Sequence, residues 1–187
     1  MLALFTALQL APKAPAATLD QMVKGGEVAW LETSSDGRVK QVTAMSYVDA
    51  SPAVVWAKLA DWAGYASWMP TVTASTLVEH TDTVDTVDWT LGIAGPDIQF
   101  RARYQLDPER LTIDGQQVAG ALPGSRWSWR LEPSGVGTIV SRVVMSNVVD
   151  TNWFLRQAEN KWHTLEYGIN LSSGVIELRG LKAALGG

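Results

Sequence analysis

Residues 98–106, Ile-Gln-Phe-Arg-Ala-Arg-Tyr-Gln-Leu, decide the fold. Ile98, Phe100, Ala102, Tyr104 and Leu106 alternate with Gln99, Arg101, Arg103 and Gln105, and a period of two puts one set on each face of an extended strand. A strand with one apolar and one polar face belongs in an antiparallel sheet packed on one side and wet on the other. The same alternation lies on either side of it. Upstream, Val87, Trp89, Leu91 and Ile93 oppose Thr86, Asp88 and Thr90; downstream, Ser125, Trp127, Trp129 and Leu131 oppose Arg126, Ser128 and Arg130. Turn residues at 80–82, 95–97, 107–109, 123–124 and 133–135 divide Thr71 to Asp150 into six β-rich runs. Before them, GEVAWLETS (26–34) and RVKQVTAMSYVD (38–49) flank Ser35-Asp36-Gly37, an Asp-Gly hairpin signal.

Two short helices are expected between the hairpin and the six runs. Ser51-Pro52 places an N-cap oxygen before a proline at the first helical position. Val55, Leu59 and Trp62 then recur at helical spacing until Gly64, and a second turn carries Tyr65 to Trp68 before Pro70. The apolar sheet face needs a cover, and the end of the chain supplies one. Thr151 or Asn152 caps a run with Phe154, Ala158, Trp162, Leu165 and Ile169 on one stripe, continued by Leu171, Val175, Leu178 and Leu185. A helix of about thirty residues reaches about 45 Å, enough to cross a sheet. Gly168, Ser172, Ser173 and Gly174 within it mark a close approach, a bend or room for a ligand. The fold class is therefore α+β: a curved antiparallel sheet of six to eight strands around a long C-terminal helix.

Composition narrows the function. The 187 residues are 47% apolar and 18% charged, which suits one domain with a full core. A net charge of -4 leaves no basic surface for nucleic acid. No cysteine occurs and there are two histidines, so thiolate chemistry and His- or Cys-rich metal sites are excluded. No phosphate loop, nucleophile elbow or dinucleotide fingerprint is present, and neither a cofactor nor a metal is expected. Residues 1–17, MLALFTALQLAPKAPAA, have the outline of a secretory signal without its basic start, with 18–187 as the domain. Export to the periplasm or outside is the expectation, a frayed extension on a cytoplasmic protein the other reading. No later stretch is long and apolar enough to span a bilayer.

The candidates for chemistry are few. Trp89, Phe100, Tyr104, Trp127 and Trp129 share the apolar face, among nine tryptophans in all. Arg142 shares its strand face with Val140, Val144 and Val148 and offers a polar anchor to a ligand head group. Asp85, Asp88 and Asp114 read as solvated or turn carboxylates, and Arg101, Arg103, Arg126 and Arg130 as a solvated outer face. His80 and His163 read as surface or satisfied core residues. The sequon Asn170-Leu171-Ser172 falls in a helix and is discounted.

Residues 50–70, ASPAVVWAKLADWAGYASWMP, resemble the START-like superfamily of polyketide cyclase, dehydrase and lipid-transport proteins, which shares the helix-grip fold of the birch-pollen allergen. With the strands and final helix that follow, the resemblance covers about residues 26–185. It implies a cavity between sheet and long helix, open near Tyr65 to Pro70, with Trp68 and Met69 at its rim and Trp162 facing it from the helix. The implied function is binding or transport of a hydrophobic small molecule or lipid, such as a quinone or polyketide-like compound. The alternative is a cyclase or dehydratase in which Tyr104 or Arg142 polarises a carbonyl. The 26–49 hairpin is longer than a minimal member needs, so an extra strand or altered edge is expected.

Overall fold

The hairpin at Ser35-Asp36-Gly37 forms as its residues dictate: Gly37 takes φ 82°, where a Cβ would be penalised, and Ser34 accepts from its backbone N–H at 3.0 Å. In this computed structural model the described residues are 16–92, 96–146, 157 and 165–186. Helix α1 (Ala16–Gly25) precedes the hairpin strands β1 (Val28–Thr33) and β2 (Val39–Val48). Helix α2 (Pro52–Ala60) and a 3-10 turn (Trp62–Ser67) follow. Then come β3 (Val72–His80), β4 (Val84–Leu91), β5 (Ile98–Asp107), β6 (Thr112–Gly120), β7 (Arg126–Ser134), β8 (Gly137–Met145) and helix α3 (Leu165–Ala184).

All eight strands join one antiparallel sheet in the order β1-β2-β8-β7-β6-β5-β4-β3. Six of them are the runs between Thr71 and Asp150, and β1 is the additional edge strand that the long hairpin supplies. Strand β5 alternates as its sequence requires, with Ile98, Phe100, Ala102 and Tyr104 buried and Gln99, Arg101, Arg103 and Gln105 exposed. Strand β8 is buried on both faces. Its inner face carries Val140, Arg142 and Val144, while the outer residues Ile139 and Ser141 lie on the side where α1 packs against β2. Ser134, an outer-face residue of β7, donates to Asp20 of α1 at 3.3 Å, and Val23 is fully buried there. The boundary that the sequence places after residue 17 therefore falls in the first turn of α1.

Three details differ from the sequence reading. Helix α2 ends at Ala60, so only Val55 and Leu59 form its buried stripe, and Trp62 opens the 3-10 turn instead. That turn is held by the Asp61 carboxylate, which accepts from the Gly64 N–H at 3.2 Å and leaves no room for a side chain on Gly64. Ser51 occupies the N-cap position in extended conformation, but its hydroxyl makes no capping bond; its carbonyl accepts from Val54 and Val55. Helix α3 turns inward not an unbroken apolar stripe but Glu166, Asn170 and Glu177, followed by Leu178 and Leu181. The expected start near Asn152, with Phe154, Ala158, Trp162 and His163, lies outside the described residues.

The small residues of α3 mark close approach. A Cβ on Gly174 would meet that of Ala44 at 3.1 Å, and one on Gly180 would lie 2.5 Å from the Trp68 carbonyl. The helix start is tied to the hairpin: the Arg38 guanidinium grips the Glu166 carboxylate in a fork (3.0 and 3.2 Å), and the Tyr167 hydroxyl donates to the Gly37 carbonyl.

Candidate ligand cavity

Between the inner sheet face and α3 lies a cavity of about 310 Å³. Strand alternation explains its sheet wall, because every inward aromatic of β4, β5 and β7 comes from the apolar set of its strand. The rings form a continuous surface. Trp127 stacks on Phe100 (5.3 Å between centroids), Phe100 on Trp89 (6.4 Å), and Trp89 meets Tyr65 edge-on at 4.9 Å. Trp62 closes the end, 5.5 Å from Tyr65 and 4.4 Å from Tyr104. Room for the Tyr104 ring exists because its cross-strand neighbour is Gly115, where a Cβ would fall 2.4 Å from a ring carbon. Leu122 reaches the cavity from the β6–β7 connection with φ 68°, a left-handed conformation unfavourable for leucine.

The helix wall is different in kind. Ile169, Asn170, Ser173, Ile176 and Glu177 line it. Glu177 accepts from Nε of Arg142, and both side chains are buried. The Arg142 guanidinium lies over the Trp129 ring at 4.5 Å, and its Nη1 is buried with no hydrogen-bond partner among the described residues. An unpaired donor of that kind costs stability unless something else accepts from it. Burial pushes the Tyr104 phenol well up, with the charge of Arg142 pulling it back and that of Glu177 pushing it further. Burial likewise holds the Tyr65 phenol far above its ordinary value, and its hydroxyl donates to the Leu59 carbonyl at 2.8 Å. Both phenols are neutral donors at any physiological pH. The Trp89 N–H is buried and has no hydrogen-bond partner among the described residues.

Of the residues singled out in the sequence, Met69, Trp89, Phe100, Tyr104, Trp127, Trp129 and Arg142 line this one cavity. Trp68 does not. It is buried behind the wall, 4.6 Å from the Tyr65 ring and under the Lys58 ammonium at 5.9 Å, so it supports the lining and does not form it. Trp162 lies outside the described residues. Trp62, Tyr65, Asn170 and Glu177 are lining residues that sequence reasoning passed over; the 4-3-4 spacing of Glu166, Asn170, Ser173 and Glu177 was the available signal for the last two.

Asp85 corrects the sequence reading. It is buried, not solvated, because it has the parity of Val87 and Trp89. Its carboxylate accepts from Trp62 Nε1 at 2.5 Å and pairs with His80 Nδ1 at 2.6 Å. Asp88, one residue out of phase with them, is half-buried with its carboxylate at the surface, gripped by Arg101 (2.6 and 2.8 Å), and Asp114 is exposed. Arg103, Gln105, Gln116 and Arg126 edge a wider open groove of about 600 Å³ on the outer sheet face. Half-buried Ser128, Val143 and Met145 form its floor between these exposed polar side chains, and it is open to solvent where small-molecule sites are usually enclosed. Asn170 of the sequon is buried, and its amide donates to the Glu166 carbonyl at 2.9 Å. Among the described residues no three acidic or histidine side chains gather as a metal site, and no helix is long and apolar enough to cross a membrane.

The family model for polyketide cyclase / dehydrase and lipid transport proteins matches residues 48–161, more than half of the chain. The chain belongs to this family. Solved structures of other proteins have the same architecture. A STAR-related lipid transfer protein from Xanthomonas axonopodis superposes with a TM-score of 0.67 at 17% identity, covering 87% of this chain and 94% of that one. The Zhui aromatase/cyclase from a Streptomyces species gives 0.63 at 19% identity, covering 78% and 93%. A major latex-like protein from Panax ginseng gives 0.56 at 13% identity, covering 77% and 95%. At such identities the likeness is one of fold, the helix-grip arrangement of sheet and C-terminal helix. No curated protein matches this family member.

Proposed function

We propose that the protein binds a small hydrophobic molecule carrying one neutral oxygen function in the cavity between sheet and α3. The observation that carries this is the pairing of an aromatic wall with a buried guanidinium whose Nη1 has no partner among the described residues. The positive charge of Arg142 is already balanced by Glu177. A carboxylate entering beside that pair would leave Glu177 facing a like charge, whereas a ketone, quinone or hydroxyl oxygen accepts from Nη1 and leaves the balance intact. A volume of about 310 Å³ is at the lower end of the about 300–1,000 Å³ usual for ligand pockets, which favours a single ring system over a two-chain lipid. Native mass spectrometry of protein purified gently from its source tests the reading: a copurifying apolar mass supports it. Saturable binding of 1-aminoanthracene with a change in tryptophan emission does so too, and absence of both defeats it.

A second reading, cyclisation or dehydration of a polyketide-like substrate, is favoured by one feature. Tyr104 and Arg142 are donors and Glu177 an acceptor in the lining of one cavity, which is the set needed to polarise a carbonyl and take up a proton. Incubation with a synthetic poly-β-ketone and detection of a new aromatic chromophore separates the two. A chromophore that forms with the wild type and not with Tyr104→Phe makes the protein an enzyme.

A further inference from the structure

We propose that Asp85 is a positioning residue that sets the width of the ligand cavity by holding the Trp62 indole, with His80 as its outer brace. The inference rests on the binding reading above and names what shapes that site. Asp85 is 4% exposed, on the apolar face of β4, where a carboxylate is costly to bury unless its oxygens are occupied. Both are occupied. Oδ2 accepts the Trp62 N–H at 2.5 Å and Oδ1 pairs with His80 Nδ1 at 2.6 Å.

Trp62 has every reason to need the hold. It opens the 3-10 turn just beyond α2 and is 3% exposed, so its N–H must be satisfied inside the protein. Its backbone is anchored separately, by Ser75 donating to its carbonyl at 2.6 Å. The indole packs among three rings, and the bond to Asp85 is the directional contact on its nitrogen that sets which way the N–H edge points. The ring in turn touches Tyr65, Tyr104 and Trp89, so a rotated Trp62 would move the end wall of the cavity beside the Tyr104 hydroxyl. His80, on β3 directly across from Asp85, has an exposed side chain and keeps the second oxygen from turning away. The chain of contacts thus runs from a solvent-facing imidazole through a buried carboxylate to the ligand wall.

The test uses the full chain and two readouts. The Trp62 indole N–H resonance, identified by its loss in Trp62→Phe, should lie far downfield in the wild type, as for an N–H donated to a carboxylate. Asp85→Leu should move it upfield by the largest amount, His80→Ala by less, and Asp85→Asn should keep it close to the wild-type position because an amide oxygen still accepts. Binding of 1-aminoanthracene should weaken about fivefold in Asp85→Leu, the size of coupling typical of contacting residues, and recover in Asp85→Asn. In a Trp62→Phe background Asp85→Leu should have no further effect, since Phe has no N–H to hold. An unmoved Trp62 resonance in Asp85→Leu, or a loss of affinity equally large with and without Trp62, overturns the proposal. A wild type that binds no probe defeats the binding reading, and the resonance alone then decides whether Asp85 positions the ring.

Discussion

The two walls of the cavity are built on opposite principles. The sheet wall is mainly aromatic and its residues are selected by strand alternation; the helix wall mixes Ile169 and Ile176 with Asn170, Ser173 and Glu177 and is selected by which side of α3 faces inward. Trp89, Phe100, Tyr104 and Trp127 each touch another ring, so the loss of one is shared among neighbours, whereas Glu177 on the helix wall acts through Arg142 and Ser173. The apolar surface of the cavity comes mainly from the sheet and its carboxylate and amide from the helix, and the two meet at the pair of Arg142 from β8 and Glu177 from α3.

The sharpest way to break this comparison is at that crossing. Glu177→Leu leaves a buried guanidinium without its counter-charge and should cost about 3–5 kcal/mol in urea denaturation. Replacing Arg142 and Glu177 together by Met and Leu should cost far less, because no orphan charge remains. A single variant that loses under ~1 kcal/mol would mean that water reaches the pair and that the helix wall is not a buried recognition surface.

Phe100→Ala tests the sheet wall. It should weaken binding of an apolar probe while costing less than the ~3–5 kcal/mol of a fully packed aromatic, since one side of the ring faces the cavity. The full stability loss without any probe binding would make the wall ordinary core. Gly174→Val addresses the spacing between the walls: its side chain would press on Ala44 and should destabilise by roughly 1–3 kcal/mol. Thermal unfolding measures it, and an unchanged midpoint would show that α3 can move away from β2 freely.

The smallest effect belongs outside both walls. Arg101 holds the Asp88 carboxyl below its usual range, mainly by hydrogen bonding and further by its charge. A depressed folded-state value contributes stability above the ordinary carboxylate range, and that contribution fades as pH falls through the lowered value. The pair is exposed, so Asp88→Asn should leave denaturation at neutral pH unchanged within error and flatten only the acid limb slightly.

Much of the fold was legible in local pattern. The six runs after Thr71 became β3 to β8, and the aromatic set of the inner face followed from counting every second residue. Asp85 was equally legible by parity and was misread because its residue type suggested water. Trp68 was misread in the opposite sense: its place in the motif at 50–70 suggested the rim, while the ring packs behind Tyr65.

By itself the sequence determined the sheet, its turns and the side on which each strand residue points, because a two-residue period is a property of the extended backbone and needs no partner. Only the tertiary structure decided which face of α3 turns inward, since Ile169, Leu171 and Val175 compete with Asn170 and Glu177 around a helix that carries apolar residues on several sides. It alone brought Arg142 to Glu177, 35 residues apart, and Trp62 to Asp85, 23 apart. Pairings of that kind are settled by where strands and helix cross in space, and no local period encodes the crossing.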